Sequence, residues 1–286
     1  MSRADGLASA EPFRISPIRA GLGARIEGLD LSAPLDETTF EAIRRAFFEH
    51  HILAIPGQDI SAADLVRFSK RFGELEPHLL DQFHHPDFPE ILMLSTVVED
   101  GRPLGFATPP DPAFHSDLSY RPLPSRVTLL YALEVPTDGS GDTRFIDTVA
   151  AYEALPAEIQ RSIGHLRAVH NYAYRYGDRL TPEQLARTED VVHPVVRRIP
   201  ETGQRSLFVN PSFTGRIEDL PERASQNLLS QLFEHCEQER FGLTYAWTAG
   251  DLVFWDNAAT MHAATALPEG ARRTLMRTTV IGEVPI

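Results

Sequence analysis

Asp251-Leu252-Val253-Phe254-Trp255-Asp256-Asn257 reads as a buried strand closed by a turn. Four large apolar residues in succession, between carboxylates, fit a strand covered by other layers. Asp256 and Asn257 are residues that hydrogen-bond their own backbone in turns. Strand-like runs recur at 127–133, 143–146, 192–198, 206–209, 244–248 and 274–281, and helical periodicity at 150–163 and 222–241. Nearer the start, 13–15 and 24–26 alternate like short strands. Asp36 caps an amphipathic helix to His50, with Phe40, Ile43, Ala46 and Phe47 on one face. Residues 51–55 follow as a buried strand ending at Pro56-Gly57, and Ser61 caps a second helix to Arg71, stopped by Gly73. Many strands with Gly and Pro turns and a few helices packed outside predict a mainly β, α+β chain. The expected architecture is a double-stranded β-helix, the jelly-roll or cupin-like barrel.

Composition limits the function. The formal net charge of −13 argues against a nucleic-acid or anionic-membrane partner. No apolar run approaches the roughly 20 residues of a membrane span, and residues 1–12 lack a signal-peptide core and read as a flexible tail. A cytoplasmic protein is expected. The single cysteine, Cys236, sits in helical text and reads as a buried, inert thiol. Residues 13–286 read as one domain. Within them, 76–113 is rich in proline and periodic only at 90–95. Long irregular segments are often functional, and this one leads into His115, so an active-site lid is expected there.

The candidate chemistry lies in His115, Asp117, Thr143, His262 and Arg273. Two neutral imidazoles and a carboxylate can hold Fe(II) on one face and leave the other open. With 11 His and 40 acidic residues, His-x-acid pairs arise by chance, and the chain has three. His235-Cys236-Glu237 lies in helical text, where residues two apart diverge by about 200°. His85-Pro86-Asp87 is interrupted by proline. His115-Ser116-Asp117 continues as Leu118-Ser119-Tyr120 and can be extended, which would place positions i and i+2 on one side. The third ligand must come from elsewhere. His262, after the 251–257 strand and turn, is a candidate, although a lone histidine there more often serves structure.

Taken in order, His115-Ser116-Asp117, Gly141-Asp142-Thr143, Trp255-Asp256-Asn257 with Met261-His262, and Arg272-Arg273 with Arg277-Thr278-Thr279 resemble the taurine/2,4-dichlorophenoxyacetate (TauD/TfdA) dioxygenase family, from about Phe13 to the C-terminus. The resemblance implies that His115, Asp117 and His262 bind Fe(II). It implies that 2-oxoglutarate chelates the metal, with Arg273 clamping the distal carboxylate and Thr143 adding a hydroxyl donor. Dioxygen would then be consumed, succinate and CO2 released, and a C–H bond of a small-molecule substrate hydroxylated. Related halogenases leave the carboxylate position empty, so Asp117 favours hydroxylation. Arg277 and His78 match sulfonate contacts, and Tyr120 and Phe213 match aromatic wall positions. Relatives commonly form dimers or tetramers.

The chain departs from the family pattern where substrate would bind. Asp81 replaces an expected tyrosine, Asp111 stands near an expected asparagine, Phe114 replaces a common tryptophan and Ser140 a common glycine. Carboxylates at Asp81 or Asp111 would repel a sulfonate or hold an ammonium. The expected substrate is therefore a small anion or zwitterion: a sulfonate, an aryloxyalkanoate or an amino-acid-like molecule. Two other readings fit the ligands alone, a zinc hydrolase or isomerase on the same barrel and a non-catalytic binding protein. The first gives Thr143 and Arg273 no role, and against the second, nothing in packing alone requires His115, Asp117 and His262 together.

Overall fold

The 251–257 stretch forms a strand, Leu252–Asp256, inside an eight-stranded sheet, and both of its faces are buried. The computed structural model describes residues 13–78, 80–107, 113–186 and 188–286. In chain order its first elements are β1 (Arg14–Arg19), β2 (Leu22–Glu27), α1 (Glu37–His50), β3 (Ile52–Ile55) and α2 (Ala62–Ser69). Then come β4 (His84–His85), β5 (Phe88–Ser95), β6 (Val98–Glu99), β7 (Arg102–Pro103), β8 (Ser125–Glu134) and β9 (Thr143–Asp147). The middle holds α3 (Thr148–Glu153), α4 (Ala157–Ile163), β10 (Arg167–His170), α5 (Ala173–Tyr176) and α6 (Pro182–Leu185). It continues with β11 (Val191–Pro194), β12 (Val196–Arg198), β13 (Arg205–Leu207), β14 (Thr214–Ile217) and α7 (Glu222–Cys236). The chain closes with β15 (Gly242–Tyr245), β16 (Leu252–Asp256), β17 (Thr260–Ala264) and β18 (Thr274–Ile281).

The large sheet has the order β1-β2-β3-β16-β8-β18-β5-β4, and β15-β9-β17 forms a smaller one. Period-two alternation divides the large sheet's side chains between two cores. Leu252 and Phe254 face out with Leu53, Ile55, Leu129 and Tyr131, under the apolar faces of α1 and α2. Val253 and Trp255 face in with Ile52, Ala54, Leu130 and Phe145. The same alternation on β18 sends Met276 and Val280 outward. Arg277, paired in register with Leu130, lies on the interior face and borders the same cavity. This is the jelly-roll, mixed α+β architecture that the strand runs predict.

Local chemistry explains the helix ends. Asp36 Oδ1 accepts from Thr39 N (2.7 Å), and Ser61 with Asp64 forms a reciprocal capping box on α2. Three expectations need correction. The helix predicted over 150–163 is two, α3 and α4, because Pro156 cannot continue a helix and instead precedes the first residue of α4. The strand predicted over 192–198 divides into β11 and β12, which pair with different partners. The extended run from His115 ends at Asp117, where the chain turns with Leu118 in the left-handed region (φ 56°). Segment 76–113 carries two strands of the large sheet, β4 and β5, and the β6–β7 pair, besides its irregular parts. Residues 1–12 lie outside the described residues.

Cys236 is fully buried, and burial pushes its thiol up to about 12. Among the described residues no helix is long and apolar enough to cross a membrane. His170 and His193 pack on Phe208, and burial lowers the first to about 3 and the second to about 4, from an ordinary 6.5. Below pH 6.5 the unfolded chain therefore binds protons that the native state refuses. Stability present above that pH is lost as the pH falls toward 4. The urea midpoint of the metal-free protein should fall across this window, and less steeply in His193→Gln. Equal slopes would show that this histidine does not carry the effect.

Candidate metal centre

Two backbone contacts bring the candidate ligands together. His115 forms a single antiparallel bridge with His262 of β17, donating its N–H to His262 O (3.0 Å) and accepting from His262 N (2.8 Å). Two residues on, Asp117 is fixed by its own N–H, which donates to Asn257 Oδ1 (3.0 Å) in the turn after β16. One atom from each of His115, Asp117 and His262 lies within 4.8 Å of the others, the only such cluster of three among the described residues. Nε2 of His115 stands 3.7 Å from Asp117 Oδ1, and Nε2 of His262 stands 3.7 Å from Oδ2.

The protonation states suit a cation. Burial and mutual repulsion hold the His115 imidazole well below its ordinary value, and burial lowers His262 to about 4. Both are neutral ligands at neutral pH. Burial alone would raise the Asp117 carboxyl, but the Arg277 guanidinium and the hydrogen bond from Thr128 hold it down and keep the group ionised. Its hydrogen bonds run in one direction. Asn257 Nδ2 donates to Thr128 Oγ1 (2.9 Å), so Thr128 turns its own proton to Asp117 Oδ2 (2.7 Å). Arg277 Nη2 is 2.9 Å from Oδ1. His115 Nδ1 lies 3.3 Å from Ala113 O, which leaves Nε2 as the nitrogen that could meet a cation.

Thr143 and Arg273 border the same cavity, of about 130 Å³. Trp247 Nε1 donates to Thr143 Oγ1 (3.0 Å), so the hydroxyl proton is free to point at a ligand. Arg273 is 5% exposed, its Nε is buried without a partner, and burial lowers the guanidinium to about 10. A buried cation in that condition calls for an anion. Gly141, at φ 74°, makes room for it: an added Cβ would stand 3.0 Å from Arg273 Cδ and 2.7 Å from Leu267. Gly141→Ala should therefore raise the co-substrate requirement by about tenfold, by displacing a guanidinium that must meet a carboxylate in fixed geometry. A titration equal to wild type would show that Arg273 can move aside without loss.

The residues expected to meet substrate divide. His78, Tyr120, Phe213 and Arg277 all border the cavity. His78, lowered to about 4 by burial and by Arg277, is neutral, and its Nδ1 accepts from Leu80 N (3.2 Å). It can offer an N–H, not a charge. Asp81 is exposed in a 3-10 turn and is not in the cavity wall, so the expected carboxylate beside substrate is not placed there. Asp111 lies outside the described residues. The sequence reading missed Tyr172, Arg175 and Tyr176, which α5 and the residue before it bring to the wall. Tyr172 packs at 5.0 Å from Tyr120 and stacks on Phe213 at 6.3 Å. Arg175 Nη1 donates to Ala113 O (3.0 Å) and to Ser212 Oγ. A short helix of four residues gives no periodic signal that could have revealed them.

Comparison with known proteins agrees with this geometry. The model of the "Taurine catabolism dioxygenase TauD, TfdA family" matches residues 14–279. Pentalenolactone F synthase of Streptomyces arenae is 33% identical over 96% of this chain and 97% of its own length. The alpha-ketoglutarate-dependent 2,4-dichlorophenoxyacetate dioxygenase of Cupriavidus pinatubonensis is 31% identical over 95% and 98%. The crystal structure of a taurine dioxygenase from Burkholderia xenovorans superposes with a TM-score of 0.81 at 31% identity, covering 96% of this chain and 93% of that one.

Proposed function

This chain belongs to the TauD/TfdA family of Fe(II)- and 2-oxoglutarate-dependent dioxygenases, and from that membership we propose that His115, Asp117 and His262 are its iron ligands and that Arg273 and Thr143 hold 2-oxoglutarate. The observation that carries the co-substrate reading is the buried, unpartnered Arg273 Nε in the wall of the ligand cavity. Loaded, such a centre couples decarboxylation of 2-oxoglutarate to hydroxylation of a C–H bond by dioxygen. The chain's own contribution is placement and charge. Thr128 and Arg277 keep Asp117 anionic, and burial keeps both imidazoles neutral. Trp247 frees the Thr143 proton to donate. Leu92, Leu94, Leu130 and Trp255 line the cavity and exclude water.

The substrate we assign is a small organic anion with an aromatic or apolar body. Tyr120, Tyr172, Tyr176 and Phe213 form one wall, with ring centroids 4.8 to 6.3 Å apart, and Arg277 and Arg175 supply cationic edges. Asp117 is the only carboxylate in the wall among the described residues. That favours carboxylates such as aryloxyalkanoates, and sulfonates, over amino-acid-like zwitterions. The irregular parts of segment 76–113 contribute His78, Leu80 and Phe106 to the wall, which supports a lid there, while Leu92 and Leu94 line it from the fixed strand β5. The test is anaerobic. Apo-protein titrated with Fe(II) and then 2-oxoglutarate should develop a weak visible charge-transfer band that His262→Ala lacks, and succinate release then ranks the anions. A folded, iron-loaded protein without the band would refute the assignment.

A further inference from the structure

A second cavity, of about 450 Å³, shares two wall residues, Arg273 and Ala264, with the cavity around the metal ligands. The rest of its wall comes from residues 96–98 and from the 265–272 connection between β17 and β18. None of the three metal ligands and none of the four aromatic wall residues borders it. The connection is exposed at Ala266 and at residues 268–270, so this cavity lies toward solvent.

The two cavities meet at Arg273 and Ala264. Leu267 borders the second cavity, beside the Arg273 side chain, and both are seated against the bare Cα of Gly141. Two polar atoms in this wall are buried without partners, Arg273 Nε and Thr265 Oγ1. A hydroxyl and a guanidinium left unpaired beside one opening suit a passing carboxylate. Thr96 ties down the end of the connection, its Oγ1 donating to Ala271 O (2.7 Å) and accepting from Arg273 N (2.9 Å). The stretch before that end is held on either side of Leu267: Thr265 N donates to Asp142 O (2.8 Å), Ala266 O accepts from Gly141 N (3.3 Å), and Ala271 N donates to Pro268 O (3.1 Å).

We propose that this second cavity is the route by which 2-oxoglutarate reaches the Arg273 subsite and succinate leaves it, with Leu267 as the gate. The inference rests on Arg273 being the subsite for the distal carboxylate. With one mouth only, a substrate packed on Tyr120, Tyr172 and Phe213 would trap the co-product behind it. A second mouth at the far end of the co-substrate makes the two exits independent.

The test exploits what a gate can and cannot do. A side chain that touches the ligand only in passage alters the barrier in both directions and leaves the equilibrium alone. Anaerobic stopped-flow mixing of the Fe(II)-loaded full chain with 2-oxoglutarate reads both rates from the growth and decay of the chelate band. In Ala271→Trp, which fills the second cavity, association and dissociation should both slow by about tenfold, with Kd kept within about twofold. In Leu267→Ala both should rise, by roughly threefold or more. Arg273→Met serves as contrast, since it should move Kd. A normal chelate with unaltered rates in Leu267→Ala overturns the gate, whether or not the tryptophan variant folds. A Kd that shifts with one rate alone overturns it too. Absence of the band from the wild-type protein overturns the reading of Arg273 and this inference together.

Discussion

Arg273→Met should raise the 2-oxoglutarate concentration needed for half-saturation by roughly two to three orders of magnitude and leave Fe(II) binding within about twofold. The size follows from removing one member of a buried, hydrogen-bonded charge pair, which typically costs about 2–5 kcal/mol. The sign of the stability change is less obvious and more telling. In the ligand-free protein Arg273 has an unpartnered Nε and is held in a place whose burial alone lowers its pKa. Methionine fills much of the same volume without a charge to desolvate. The metal-free variant should melt no lower than wild type, and 2-oxoglutarate with Fe(II) should raise the melting temperature of wild type only. A variant that loses stability in the apo form would show that the guanidinium is structural, and the co-substrate assignment would lose its main support.

That contrast shows what kind of information the sequence held. Strands came through because β16 and its neighbours are covered on both faces, so their composition alone marks them. Ligand spacing came through because a metal needs particular atoms, and only one of the three His-x-acid pairs could deliver them. The path between them was less legible. Nothing at Leu118 announces a left-handed residue, yet the turn there, not a continued strand, follows Asp117. The β17 strand that carries His262 is short and falls outside the strand-like runs. Least legible was the substrate wall. Tyr172, Arg175 and Tyr176 reach it from a four-residue helix on the far side of a chain reversal, where tertiary packing and not periodicity decides the orientation. Trp247 is a similar case, since only the fold shows that its indole N–H ends on Thr143.

Polar residues within the apolar interior follow from the same division. Thr128 and Arg277 occupy inward positions on β8 and β18 that their neighbours Leu130 and Leu275 fill with hydrocarbon. Both are committed to Asp117. Taken as packing alone, each is a liability, and as supports of one carboxylate they are complementary.

Asp117→Asn and His262→Ala should each reduce turnover by on the order of a thousandfold or more, since a ligand lost from a three-residue site removes several kcal/mol of metal-centred stabilisation. Activity therefore cannot tell the two variants apart, but stability can. Asp117 and Arg277 are an ion pair with side chains 5% and 14% exposed, so neutralising the carboxylate strands the guanidinium in the cavity. Breaking a buried pair from one side costs about 3–5 kcal/mol. His262 is neutral in the native protein, and its loss leaves a cavity beside Trp255 but no uncompensated charge. Metal-free Asp117→Asn should thus show the larger drop in urea midpoint, and adding Arg277→Met should restore much of that stability without restoring turnover. The double-mutant cycle isolates the pair. If Arg277→Met leaves the single variant's midpoint unchanged, Arg277 does not depend on Asp117 for its charge balance. The substrate's anionic group would then have that guanidinium to itself.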